Sequence, residues 1–144
     1  MSIAIAVFVD SDVVISSLLS PSGAAYLLLH KTDSLDVMLS TVSVDECLRV
    51  AKRLGLDTVK LAQFVQKCCT VVSLKGSQSI LKTKYGGYVH DKNDAHIVAG
   101  AHAASVRFLL SYNVKHFKVD RIKDDYGIII MKPAQFLQYL RSVS

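Results

Sequence analysis

Asp10 is the first polar residue after the apolar run 3–9, and nothing about packing a strand of that composition calls for a carboxylate there. Asp12 follows two positions on. Glu46 falls in the opening turns of a helix expected from residue 43, and Asp94 lies three, four and seven positions before Ile97, Val98 and Ala101. That spacing puts Asp94 on the apolar stripe of its helix, where an unpaired carboxylate is costly and a bound cation is one of few remedies. Simpler readings exist for each acid: Asp10 as a helix cap, Ser43 with Glu46 as a capping box, Asp91 with Asp94 as a cap and its reciprocal acid. The conjunction favours chemistry, because each acid stands near the end of a strand or the start of the helix after it. Carboxylates gathered there form an all-oxygen site suited to Mg2+ or Mn2+. Such an ion can generate hydroxide from water and neutralise a phosphodiester under attack, so the chemistry indicated is hydrolysis of nucleic acid.

The elements that must position these acids alternate between strand and helix. The run 3–9 is continuously apolar and β-branched, as in a strand buried on both faces, and is expected at the sheet centre. Helices are expected over 13–19 and 23–31, a strand over 37–40, helices over 43–54 and 58–68, and a strand over 70–74. Residues 75–92, with Gly76, Gly86 and Gly87 among Lys75, Lys82, Lys84 and Lys92, read as a mobile basic loop. A helix beginning at Asp91 or Asn93, strands over 107–111 and 127–131, and a helix opened by Pro133 complete the chain. The expectation is one α/β domain over 1–144, a three-layer α/β/α sandwich with a mostly parallel central sheet and its site beyond the carboxyl ends of the strands.

Composition narrows the class further. With 144 residues, 51% apolar and 20% charged, and only two prolines, the chain is globular rather than disordered or fibrous. Its apolar runs are far shorter than the roughly 20 residues that span a bilayer. No basic leader precedes the first apolar stretch, and the odd set Cys47, Cys68 and Cys69 supports neither a disulfide framework nor a zinc ribbon, so a cytoplasmic protein with no membrane role is expected. Seventeen basic against twelve acidic residues give +5, a bias toward a polyanionic partner. His96 and His102 are six apart and no HExxH occurs, which argues against a zinc enzyme; His90 and His116 are expected to be solvent-exposed or to contact phosphate.

Three segments resemble the PIN-domain family, and the resemblance they carry extends over essentially the whole chain. VFVDSDVVISSLL resembles its first motif, LSTVSVDECLRVAKR its second strand and following helix, and DKNDAHIVAGAHAASVRFLLSYNVKHF its third block. The resemblance implies a Mg2+- or Mn2+-dependent endoribonuclease, frequently the toxin partnered by an antitoxin protein. It makes Asp10, Glu46 and Asp94 catalytic metal ligands and places Asn113 where many members have a fourth acid. Many members also carry asparagine at the position of Asp12. The amide of Asn113 brings no charge, so a second ion should be held more weakly, with Asp12 or Asp91 as compensating ligands.

Lys82, Lys84, Lys92 and Lys115 are expected phosphate contacts because they stand in or beside the loops flanking that edge. The high apolar content points to a homodimer or larger homo-oligomer. Two other readings compete. One is a non-catalytic RNA-binding module of the same fold. The other is a haloacid-dehalogenase-like phosphatase, in which Asp10 of Asp10-Ser11-Asp12 is the nucleophile, Asp12 the general acid, and Ser40 or Thr41 the second motif. That fold needs a late acidic pair after an apolar strand, whereas Asp124 and Asp125 precede the run 127–131.

Overall fold

The computed structural model describes residues 4–143; Ile3, expected in the first strand, lies outside the described residues. The strands are β1 (Ile5–Val9), β2 (Leu35–Ser40), β3 (Cys69–Val72), β4 (Phe108–Leu110) and β5 (Ile129–Met131). Among the described residues they pair side by side in the order β3-β2-β1-β4-β5, every pair parallel. β1 is central, as its composition requires: Val7, Phe8 and Val9 are all fully buried. Alternation along β1 divides the core, with Val7 and Val9 facing one side and Phe8 the other.

The helices are α1 (Ser11–Leu19), α2 (Ala24–Lys31), α3 (Thr41–Arg53), α4 (Thr58–Cys68), α5 (Gln78–Tyr85), α6 (Ala95–Ala103), α7 (Val119–Tyr126) and α8 (Pro133–Val143). Val13 and Val14 of α1, Leu28 of α2, Cys47 of α3, Leu61 of α4 and Phe136 of α8 pack with Val7 and Val9. Leu81 of α5, Val98 of α6 and Ile122 of α7 pack with Phe8 on the other face. The result is the α/β/α sandwich expected from the sequence. Among the described residues no single helix is long and apolar enough to cross a membrane.

Several local expectations are corrected. Residues 75–92 are not a loop: Ser77 caps α5 by accepting from the Ile80 N–H at 3.3 Å, and Leu81 and Tyr85, one turn apart, are buried. The lysines between them occupy the outer face and hid a helix with only two inward residues. α3 begins at Thr41, because Ser40 rather than Ser43 is its cap, accepting from the Ser43 N–H at 3.0 Å. The capping box assigned to Ser43 and Glu46 therefore does not form. A 3-10 turn, Lys92–Asp94, precedes α6, and α7 occupies a stretch for which no helix was expected. Gly127, assigned to the last strand, instead terminates α7 at φ 68°, a left-handed conformation that glycine adopts without steric cost.

α6 approaches the sheet through a glycine. A Cβ built on Gly100 would lie 2.4 Å from Cζ and 2.7 Å from Cε2 of the fully buried Phe8 ring. Gly100→Ala is therefore expected to destabilise by about 1–3 kcal/mol of overpacking, less the roughly 1 kcal/mol that alanine gains over glycine in a helix. Thermal denaturation checks this, and Phe8→Leu in the Gly100→Ala background should recover part of the loss, a non-additivity expected only of residues in contact.

Candidate active site

Asp10 continues the ladder one step beyond β1, its N–H donating to the Leu110 carbonyl at 2.9 Å. It stands at the N-cap position of α1, yet its side chain makes no cap hydrogen bond. Its Oδ2 instead accepts from Ser111 Oγ at 2.9 Å. Val9 pairs with Leu110, so Asp10 and Ser111 are the next residues along two neighbouring parallel strands, which explains a bond spanning 101 positions of sequence. Asp10 is 7% exposed and Ser111 fully buried.

Asp12, in the first turn of α1, holds the segment after β4. Its Oδ2 accepts from the Tyr112 N–H at 3.1 Å and from Asn113 Nδ2 at 2.9 Å. Ser111 Oγ is 3.4 Å from the same oxygen, but a hydroxyl has one proton and the shorter contact to Asp10 claims it. Asp12 Oδ1 is buried with no hydrogen-bond partner.

Glu46 reaches the same edge from α3, which packs against α1 and α6. Oε1 accepts from Ser11 Oγ, and Oε2 accepts from His96 Nε2 of α6 at 3.2 Å. Nε2 therefore carries a proton toward Glu46, and Nδ1 is buried without a hydrogen-bond partner. Asp94 closes the 3-10 turn ahead of α6, half-buried and making no cap hydrogen bond, with Oδ2 3.9 Å from His116 Nδ1. The backbone brings His116 there: His90 N–H donates to the His116 carbonyl at 3.0 Å, beside the isolated bridge between Val89 and Phe117.

The charges interact as a cluster. Burial first, then the charge of Asp12 and further that of Glu46, pushes the Asp10 carboxyl up from 3.8 to about 7, against the opposing Ser111 hydrogen bond. Asp12 is also raised by burial, against hydrogen bonds from the Tyr112 and Val13 backbones and the Asn113 side chain. The His96 hydrogen bond holds Glu46 below its ordinary range, and burial opposes it. Asp94 is raised by burial and then by Asp91, with Glu46 adding to the push. Burial, with Glu46, Asp10 and Asp12 beside it, pushes the Cys47 thiol up to about 12, so this cysteine is an inert core residue.

Asp10, Asp12 and Glu46 thus share one locality, Asp94 adjoins it through Glu46, and Asn113 joins it through Asp12. Asp91 is held as a cap, accepting from the Asn93 N–H at 2.9 Å. The lysines do not form one patch. Lys82 and Lys92 line a depression with Ser79 and Thr83, Lys115 lines another beside Asn113, and the Lys84 ammonium lies 5.4 Å from the centre of the Tyr85 ring. Sequence reasoning missed Ser11, Ser111 and His96. His96 carried one signal, an imidazole among the small apolar residues of α6; Ser111 carried another, as the first polar residue after a buried strand. Asp124 and Asp125 fall in the last turns of α7, before β5, and Asp125 accepts from the Tyr88 hydroxyl at 2.6 Å. The phosphatase reading lacks its second acidic pair.

The donor chemistry fits a hard divalent cation, with carboxylate oxygens, an amide carbonyl and one orphaned buried carboxylate oxygen on Asp12. Among the described residues no three Asp, Glu, His or Cys side chains are drawn up as a ready-made metal site. Their acceptors are instead engaged by Ser11, Ser111, His96 and Asn113. Access is open: Glu46 lines a depression of about 570 Å3 with Arg49, Lys52 and Arg53, and Ser11 and Asp12 line an adjoining one of about 320 Å3, Val50 being common to both.

A family model described as PIN domain matches residues 6–115. Among solved structures, the fold is similar to VapBC2 from Rickettsia felis bound to a DNA fragment from their promoter, at 16% identity and a TM-score of 0.62 over 89% of this chain and 98% of that one. It is similar to a toxin-antitoxin complex from Klebsiella pneumoniae, at 15% identity and a TM-score of 0.62 over 88% and 97% of the two chains. It is also similar to Mycobacterium tuberculosis VapC20, a sarcin-ricin loop cleaving toxin, at 16% identity and a TM-score of 0.50 over 72% and 86%. At these identities the likeness is one of fold. No curated protein matches at comparable significance.

The Asp10 shift has a signed consequence. Between 3.8 and about 7 the folded protein holds a proton that the unfolded chain has released, so this group favours folding at the acid end and its contribution is lost as pH rises through about 7. Asp10→Asn removes the effect. In EDTA, the thermal midpoint of the variant relative to the parent should rise between pH 5 and pH 8 by at least about 3 °C, the scale of roughly 1 kcal/mol for a domain of this length. A gap that stays constant over that range would contradict the burial of this charge.

Proposed function

Because the chain belongs to the PIN-domain family, we propose that it is an endoribonuclease that hydrolyses RNA phosphodiesters with Mg2+ or Mn2+, and that it is the toxin of a toxin-antitoxin pair. The observation that carries this reading is Asp10: a carboxylate that ends the central strand, is buried, caps nothing and is crowded by Asp12 and Glu46. A carboxylate kept in such surroundings is the mark of a site that gives up stability for function. The family match and the toxins of similar fold support this choice of substrate class and partner.

A divalent ion bound here would polarise water for attack and neutralise charge on the phosphodiester. Asp10, Glu46 and Asp94 are its proposed ligands, with Asp12 and Asn113 beside them. Ser111 fixes the rotation of the Asp10 carboxylate, and Ser11 and His96 fix that of Glu46. The Tyr112 N–H and the Asn113 amide hold one oxygen of Asp12 and leave the other unpartnered. Orienting partners of this kind tune ligand basicity and are commonly as sensitive to substitution as the ligands themselves.

Incubation with mixed structured RNAs should give cleavage in Mn2+ and none in EDTA. Asp10→Asn and Glu46→Gln should each lower the rate at least about a hundredfold, the loss expected when a group supplying roughly 3 kcal/mol of barrier reduction is removed. RNA that stays intact with the parent protein in both Mg2+ and Mn2+ would refute the reading and leave a non-catalytic RNA-binding module.

Asp94→Asn tests the outermost acid separately. Its carboxyl makes no cap hydrogen bond and is raised by burial and by Asp91, so removing the charge should leave the EDTA thermal midpoint equal or slightly higher while cleavage is lost. A variant that cuts at the parent rate would remove Asp94 from the ligand set.

A further inference from the structure

Next to the carboxylates lies a depression of about 580 Å3 whose wall includes Tyr112, Asn113, Lys115, Phe117, Asp120 and Lys132. Its size is that of a small-ligand site. It adjoins the acids directly, because Asn113 belongs to both: its amide donates to Asp12 Oδ2 at 2.9 Å. The wall is also fixed in place. The Tyr112 N–H donates to Asp12, the Asn113 N–H donates to Ser111 Oγ at 3.0 Å, and the Lys132 N–H donates to Gln135 Oε1 at 3.0 Å.

Its chemistry is specific. Of the two aromatics that line it, Tyr112 is 38% exposed and Phe117 is 4% exposed. Lys115 and Lys132 place two exposed cations against the single acid Asp120. A half-exposed ring whose hydroxyl lies 3.5 Å from Ser16 Oγ, lining the same depression as two ammonium groups, suits a nucleotide whose base is free to stack and whose phosphates can be paired. A base inside a duplex has no free face to offer.

We propose that this depression is a subsite for unpaired RNA flanking the cleaved bond, in which Tyr112 stacks on a base and Lys115 and Lys132 contact the phosphates beside it. The proposal rests on the reading of the carboxylate cluster as a nuclease centre, and it adds the residues that hold the strand beside the cut. Tyr112 and the two lysines act in binding and touch no reacting atom.

The test is fluorescence anisotropy with a labelled single-stranded RNA oligonucleotide in EDTA, where cleavage is silent, followed by cleavage of the same RNA in Mn2+. Tyr112→Ala should weaken binding about tenfold and Tyr112→Phe should bind as the parent does, as expected for stacking. Lys115→Gln combined with Lys132→Gln should lower the slope of log K against log salt by about 1.4, two contacts at about 0.7 each for single strands. Lys60→Gln with Lys67→Gln, two exposed lysines of α4 outside this depression, should leave that slope unchanged. In Mn2+, KM should rise for Tyr112→Ala with little change in kcat. Parent-like binding by both Tyr112→Ala and the Lys115 and Lys132 pair overturns the subsite even if the protein cuts RNA, as does equal affinity for a blunt RNA duplex. Weakened binding by these variants in a parent that cuts nothing sustains the subsite and refutes only the nuclease reading. The lysine pair, at exposed positions, decides the matter should Tyr112→Ala fail to fold.

Discussion

The hydrogen bond from Ser111 to Asp10 ties the chemistry of this protein to its sheet. Parallel pairing of β1 with β4 puts the two residues side by side at the carboxyl edge, one step past the Val9–Leu110 pair. Without that register, Asp10 would be a buried carboxylate with no side-chain donor, a state that costs several kcal/mol or is avoided by protonation. Ser111 also accepts from the Asn113 N–H, so the same hydroxyl sets the path of the chain that carries Tyr112 and Asn113 over Asp12. Given that register, carboxylate orientation and the wall of the neighbouring depression follow from one buried hydroxyl.

Around this point two layers are pulled together. α1 and α3 lie on one face of the sheet and α6 on the other, yet Ser11 of α1 and His96 of α6 both donate to Glu46 of α3. Glu46 therefore joins the two faces beyond the strand ends. Its two donors hold the carboxyl in its charged form, whereas Asp10, with burial outweighing its hydrogen bonds, is driven the opposite way. Neighbouring carboxylates pushed apart in this manner are a common feature of sites that bind cations and move protons.

The close approach of α6 to β1 serves the same arrangement. Gly100 lets the helix settle on Phe8, and that depth is part of what carries His96, four residues earlier and 5% exposed, to within reach of Glu46. The small residues of α6 thus matter for position as much as for packing. On the far side of β4, the 3-10 turn Val114–His116 and the short bridge at Val89 bring a histidine to Asp94, so the rim of the site is closed by backbone pairing rather than by a further helix.

Much of this was legible in the sequence. A continuous apolar β-branched run can be satisfied only between two other strands, which makes β1 central, and strands alternating with helices make the sheet parallel. A carboxylate directly after such a strand must then lie at the carboxyl edge, so Asp10 was visible from its neighbours alone. The fate of residues 75–92 was not, because two inward residues, Leu81 and Tyr85, are too few to make a helical period stand out from lysines and glycines. Ser40 rather than Ser43 caps α3 because the strand ends where the cap begins, which local preference does not reveal. Tertiary structure alone decided the partners of the acids: Ser111 for Asp10, Asn113 for Asp12, and Ser11 and His96 for Glu46. Periodicity reports which face a residue takes within its own element, whereas these contacts join residues 35 to 101 positions apart and depend on strand register and helix depth, which are set by packing across the whole sheet.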